Sequence, residues 1–218
     1  MARRPQTRPR KIATQQRSRS TVEALLEATA RILRKEGYDR ASTNRIAAVA
    51  GVGIGSLYQY FPSKEALVAG VVERHTQELL EVARDRFLKA AADPIETSAR
   101  ELVAAAIDAH RVDPRLHRVL AEEIPHTGRL ANIDAVELSS EVLLRGYLDA
   151  HRDETDIADL DLAAFILVTT VEALTHSAVL RRPDLLADET VEGFIDEVAR
   201  LIVGYLRIEG RRKSAKRP

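Results

Sequence analysis

A chain of 218 residues without cysteine can bury a substantial core, but it offers no disulfide frame, no thiolate metal site and no thiol nucleophile. Its formal charge is zero, yet residues 1–64 carry 13 Lys and Arg against 4 Asp and Glu, residues 65–210 carry 15 against 29, and residues 211–218 carry 5 against none. A basic front on an acidic body confines contact with a polyanion to the front, and the arginine-rich start lacks the apolar run of a secretory signal.

Residues 1–20 hold seven basic residues, two prolines and no acid. Such a composition cannot bury apolar surface, so 1–16 is expected to be a flexible arm. A first helix is expected from about Ser18 to Lys35, because Val22, Leu25, Leu26, Thr29, Ile32 and Leu33 recur at three and four. Gly37 stops it, and Tyr38 packs back on the same small domain. Ser42 or Thr43 caps a second helix whose inner face is Ile46, Ala47, Val49 and Ala50. Gly51 ends that helix, Val52 plugs the turn, and a third helix runs from about Gly53 to Tyr60. Two short helices across a glycine-marked turn form the helix-turn-helix layout, whose second helix lies in the DNA major groove.

That third helix is unusual as a core element. Leu57 and Phe61, four apart, anchor one face, while Gly55, Ser56, Gln59 and Tyr60 are expected to face away. Glycine in a helix costs about 1 kcal/mol against alanine, which makes sense where another surface must come close to the backbone. Four of the nine aromatics, Tyr38, Tyr58, Tyr60 and Phe61, fall in this region.

The series Thr43, Ile46, Ala47, Ala50, Gly51, Val52, Gly55, Leu57, Tyr58, Tyr60, Phe61, Lys64, Glu65 and Leu67 resembles, without a gap, the DNA-binding domain of the TetR family of repressors. The resemblance covers about residues 17–70. Gly53 departs from it, standing where the family commonly has a capping serine; glycine is a tolerated N-cap. The resemblance implies phosphate contacts at Thr43, Tyr58 and Lys64, and Arg45 joins them on its charge and position. Base reading is expected from Ile54, Gly55, Ser56, Gln59 and Tyr60, with Asn44 from the start of the second helix; Asn and Gln can bind adenine through two hydrogen bonds, and Ile54 can meet a thymine methyl. Beside such a motif the basic arm either enters the minor groove, with Arg17 and Arg19 best placed, or only solubilises the chain.

Pro62 and Ser63 open a long helix from Lys64 to about Ala91. A lysine in the first turn opposes the helix dipole, and a bound phosphate reverses that sign. Further helices are expected over Ile95–Arg111, Pro114–Glu123, Arg129–His151, Leu160–Arg181 and Thr190–Glu209, with an acidic loop over 153–161 and punctuation at Pro94, Pro114, Pro125 and Pro183. Leu162–Leu180 is the most apolar stretch, but Glu172 and His176 interrupt it, and a charge at the bilayer centre costs about 2.5–3.5 kcal/mol. It therefore reads as a helix buried on both sides, by its own domain and by a second copy, and not as a membrane span. Phe165 and Val168 on it, with Phe194, Val198, Leu201 and Tyr205 on the last helix, are the expected homodimer interface, a four-helix arrangement that the TetR resemblance also implies.

No Ser-His-Asp set and no glycine-rich phosphate loop is legible, so no catalytic residue is expected. Glu122, Glu123 and His126 have the chemistry of metal ligands, but Pro125 breaks their helical spacing; no metal and no cofactor is expected. His110, His117, Tyr147, Glu172 and His176 are polar groups on otherwise apolar helices, and either line a ligand cavity or are satisfied core polars. The chain is thus expected to be all-α: an arm (1–16), a DNA-binding domain (17–64), a helical effector-binding and dimerisation domain (65–210) and a basic flexible tail (211–218). The expected partners are double-stranded DNA, a small-molecule effector and a twin subunit, in the cytoplasm, with no membrane.

Overall fold

The computed structural model describes residues 16–123 and 130–207, with side chains described over 18–123 and 138–207. Residues 1–15 of the expected arm, the expected tail, Pro125 and His126 lie outside the described residues, and Gln16 begins the first helix. Among the described residues there are nine α-helices and no strand. They are α1 (Gln16–Glu36), α2 (Thr43–Ala50), α3 (Ile54–Tyr60), α4 (Lys64–Lys89), α5 (Ile95–Arg111), α6 (Pro114–Glu122), α7 (Leu130–Ala150), α8 (Leu160–Arg181) and α9 (Val191–Leu206). The expected acidic loop contains a 3-10 turn at Arg152–Glu154, and Pro183–Leu186 forms another.

The chain forms two compact units. The first comprises residues up to Gln77 together with Asp113–Asp134; the second comprises Glu78–Val112 and Ala135 onward. The first half of α4 and all of α6 therefore pack with the helix-turn-helix, whereas a boundary drawn from the motif falls at Lys64. Spacing along one helix cannot reveal that α6, some fifty residues downstream of α4's start, completes the head.

In the first unit the stripe of α1 (Leu25, Leu26, Ile32, Leu33) packs on Ile46, Ala47, Leu57 and Phe61, on Ala66, Leu67, Val68, Val71 and Val72 of α4, and on Leu116, Val119 and Leu120 of α6. Thr29 is buried with them because its hydroxyl donates to the Leu25 carbonyl (2.7 Å). Val49 departs from the expected inner face of α2, being 40 % exposed. With only eight residues the helix has one buried strip, and Ile46 and Ala47 occupy it.

The second unit has its own core. Phe87 from the end of α4 meets α5 (Ile95, Ala99, Val103, Ile107), α7 (Leu144, Tyr147, Leu148), α8 (Ala163, Ala164, Leu167, Val171) and α9 (Ile195, Val198, Ile202, Leu206). Asp159 caps α8, accepting from the Leu162 N–H (3.0 Å). By length and composition α8 could cross a membrane. Within the subunit it buries Ala163, Ala164, Leu167 and Val171 among others and leaves Leu162, Phe165 and Leu174 exposed.

Candidate nucleic-acid interface

The turn between α2 and α3 is built from its caps. Ser42 is the N-cap of α2, its Oγ accepting from the Arg45 N–H (3.3 Å). At the other end Gly51 is left-handed (φ 66°), and the Gly51 and Val52 N–H groups donate to the carbonyls of Ala48 (3.3 Å) and Ala47 (3.0 Å). That pair of bonds is the Schellman closure, which glycine favours because it carries no Cβ. Since Ser42 does the capping, the Thr43 hydroxyl is available to share a hydrogen bond with the Tyr58 hydroxyl (3.0 Å), tying the start of α2 to the middle of α3.

α3 is pinned by Leu57 (0 % exposed) and Phe61 (2 %), leaving Ile54, Gly55, Ser56, Tyr58 and Gln59 on its outer surface, with Asn44 and Arg45 exposed on α2. Around Gly55 an added Cβ would meet nothing within 4 Å, so nothing inside the subunit requires glycine there. Tyr60 corrects the sequence expectation: it is 8 % exposed and belongs to the core of the first unit, where Tyr58 is 42 % exposed. Tyr60 lies three residues after Leu57, on the same helical face, and in so short a helix that position turns inward.

The cations at this surface already have partners. Arg45 Nη2 lies 2.6 Å from Glu36 Oε1 at the end of α1. Lys64, the first residue of α4, donates from Nζ to the Tyr38 carbonyl (3.3 Å) and sits 3.8 Å over the centroid of the Tyr38 ring, a cation–π arrangement. Burial, then the carboxylates of Glu65 and Asp39, push the Tyr38 phenol above its ordinary value, so the ring stays neutral beneath the ammonium. Ser63 caps α4 by accepting from the Ala66 N–H (3.3 Å). The result is a surface of hydroxyls, an amide pair and two cations around the exposed Ile54, suited to a phosphate backbone flanking base edges.

Within the second unit, Tyr147 stands apart from His110, Glu172 and His176. Tyr147 lines a small apolar pocket of about 10 Å³ in the second unit, barely the space of one water, with Phe87, Ile95, Leu144, Leu167 and Ile202 among its other walls. Its hydroxyl donates outward to the Asp93 carbonyl (3.1 Å) and Ser98 Oγ to that of Ala90 (2.8 Å), so what faces the space is apolar. None of His110, Glu172 and His176 is among that pocket's walls. His110, buried on α5, has Nε2 3.4 Å from Glu172 Oε1 on α8 and Nδ1 2.8 Å from the Ala106 carbonyl, with the His176 ring 6.2 Å away edge-on. Burial opposes charge on His110, but the hydrogen bond and charge of Glu172, with the Ala106 carbonyl, outweigh it and raise the pKa. His117, on α6 in the first unit, is buried 3.4 Å from His75.

Of the expected dimer residues, Phe165 and Leu201 are each 51 % exposed, whereas Val168, Phe194 and Tyr205 are half-buried against the core of their own unit. Val198 is a correction: at 6 % exposed it lies inside that core. Val198 is three residues after Ile195, on the inner face of α9, while Leu201, a further three residues on, lies at the edge of that face and stays half-exposed. Leu162 and Leu174 belong to the exposed apolar set and were not anticipated, because α8 is apolar nearly all round and gives no periodic signal.

Comparison with known proteins agrees with this geometry at both ends of the chain. Residues 25–71 match the family model described as "Bacterial regulatory proteins, tetR family", and residues 94–206 match "Tetracyclin repressor-like, C-terminal domain". The HTH-type transcriptional repressor NicS of Pseudomonas putida is 32 % identical over 149 residues, which are 66 % of this chain and 69 % of that protein. The HTH-type transcriptional repressor KstR of Mycobacterium tuberculosis is 35 % identical over 72 residues, 33 % of this chain and 32 % of that one. Among solved structures, the fatty acid degradation regulator FadR from Bacillus halodurans superposes with a TM-score of 0.64 at 21 % identity, covering 86 % of this chain and 96 % of that one. A transcriptional regulator from Pseudomonas aeruginosa PAO1 superposes at 0.65 with 24 % identity over 88 % and 92 %; at these identities the likeness establishes fold. With its helix-turn-helix at the front and its helical body behind, the chain belongs to the TetR family of DNA-binding transcriptional regulators.

Proposed function

We propose that the protein is a homodimeric, ligand-released repressor that works in the cytoplasm on a near-palindromic operator. The observation that carries the DNA half is the outer surface of α3, where Gly55 sits among Ile54, Ser56, Tyr58 and Gln59 with no internal reason to be glycine. Two such helices, one from each subunit, would enter successive major grooves about one helical turn apart. The dimer is supported by the exposed apolar side chains Leu162 and Phe165 on α8 and Leu201 on α9, which a second copy would cover. The effector would enter the second unit beside Tyr147, where the walls are apolar and the hydroxyls turn elsewhere, and because the space there is only about 10 Å³ it would have to part those helices. Release follows if that molecule favours a state whose recognition helices no longer match the operator spacing, which requires different affinity for the two states.

The experiment is selection of operator sequences from a random duplex pool, followed by fluorescence anisotropy with and without a panel of apolar metabolites. A near-palindromic consensus and dissociation by one panel member are the expected results. A pool that stays random at every ionic strength refutes sequence-specific repression. The competing possibility is a DNA-binding factor without an effector, which predicts an operator but no panel member that raises the melting temperature.

A further inference from the structure

Among the described residues Lys64 is held by Tyr38, through that residue's carbonyl and its ring. Tyr38 lies in the short connection after α1, and a connection of this kind ordinarily moves more than the helices beside it. Here it is fastened from outside the motif. Glu123, the residue that ends α6, accepts the Tyr38 backbone N–H at Oε2 (2.8 Å), across 85 positions of sequence. Gly37 is shaped around that carboxylate: it is left-handed (φ 79°), and a Cβ placed there would come 2.7 Å from Glu123 Oε2. The other end of α6 is fastened as well, because its N-cap Asp113 pairs with Arg34 of α1 (2.9 Å). Between these two ties, Leu116, Val119 and Leu120 are buried in the core of the first unit.

We infer that Glu123 is a positioning residue for DNA binding: from the end of α6 it fixes the Tyr38 backbone, and through Tyr38 it holds the Lys64 ammonium where a phosphate can meet it. The inference builds on Lys64 as a phosphate contact. It makes a prediction opposite in sign to simple electrostatics. A carboxylate near a DNA-binding face repels phosphates, so deleting its charge should by itself tighten binding. If Glu123 acts by positioning, deleting it should weaken binding.

The test uses the full-length protein and a fixed synthetic duplex, titrated by fluorescence anisotropy over a range of salt. Phosphate contacts act on every sequence, so no operator need be known. Glu123→Ala is expected to weaken binding by about fivefold or more, the lower end of ordinary couplings between sites, and to flatten the salt dependence toward that of Lys64→Ala. Glu123→Gln keeps an acceptor oxygen and loses the charge, so it should bind as tightly as the parent or somewhat tighter. In a Lys64→Ala background, Glu123→Ala should cost nothing further. Binding by Glu123→Ala as tight as or tighter than the parent overturns the inference, as does an equal loss when Lys64 is already alanine, or a Glu123→Gln variant as weak as Glu123→Ala. If Lys64→Ala itself leaves affinity and salt slope unchanged, the underlying phosphate role fails and Glu123 loses its object.

Discussion

Gly55 separates stability from recognition. Helix propensity favours alanine over glycine by about 1 kcal/mol in a helix interior, and valine recovers some tenths of that. Gly55 is the second residue of α3, so the gain should be the smaller part of this range. An added Cβ meets no atom within 4 Å, so no clash offsets the gain. Gly55→Ala and Gly55→Val should therefore melt at or slightly above the parent temperature and keep the parent assembly state. On a duplex the same atoms must go where the backbone would otherwise lie against the groove. If approach there is at contact distance, the extra carbons either hold α3 off, losing phosphate bonds along the whole face, or strain the fit, costs typically of 1–3 kcal/mol when a packed surface is overfilled. That corresponds to a loss of roughly fivefold to a hundredfold in affinity for valine, with alanine smaller. Calorimetry gives the melting temperature, and anisotropy against the selected operator gives the affinity. A valine variant with parental affinity and sequence preference would refute close approach of the α3 backbone to DNA.

Three other perturbations probe the remaining features. Glu36→Gln frees Arg45 from its 2.6 Å partner, and an exposed pair of this kind is worth about 0.2–1 kcal/mol, so DNA affinity should rise by up to about fivefold; in an Arg45→Ala background most of that gain should vanish, and an undiminished gain would deny competition between Glu36 and phosphate. Joint replacement of Phe165 and Leu201 by aspartate should raise the dimer dissociation constant by at least about tenfold in sedimentation equilibrium, as charges are placed in the proposed apolar seam; an unchanged constant puts the dimer contact elsewhere. His110 has a raised folded-state pKa, so the stability it contributes is complete below the unfolded-state value and is lost as pH rises through the folded one. Glu172→Gln should accordingly lower the melting temperature more at about pH 5.5 than at about pH 8.5. A deficit equal at both pH values would show that Glu172 acts by packing alone.

Features encoded within one helix or one turn were legible in the sequence. The caps at Gly37 and Gly51, the stripe of α1, the anchor pair Leu57 and Phe61, and the helix-turn-helix itself follow from spacings of one to four residues. Val49 on α2 and Tyr60 on α3 are misplaced where a helix is too short for its pattern to choose a face, whereas Val198 shares the Ile195 and Ile202 stripe of α9 and belongs with the core by that spacing. What could not be read are bonds between distant segments. Ser42 and Thr43 were equivalent candidates until Tyr58, 15 residues on, claimed the threonine hydroxyl. Glu123 appeared only as a possible metal ligand, because its partner at Tyr38 lies 85 residues away. The assignment of α6 to the head has the same origin, since its apolar face is indistinguishable in sequence from one meant for the body.

The bond shared by Thr43 and Tyr58 bears on how quickly and tightly the surface can engage a duplex. Restraining a mobile side chain at the moment of association typically costs about 0.5–1.5 kcal/mol. Here two hydroxyls that flank the reading surface have settled their rotamers against each other while the chain folded. The double helix thus meets a rigid template whose disorder was surrendered beforehand, and more of the energy from each new contact remains to distinguish one base sequence from another.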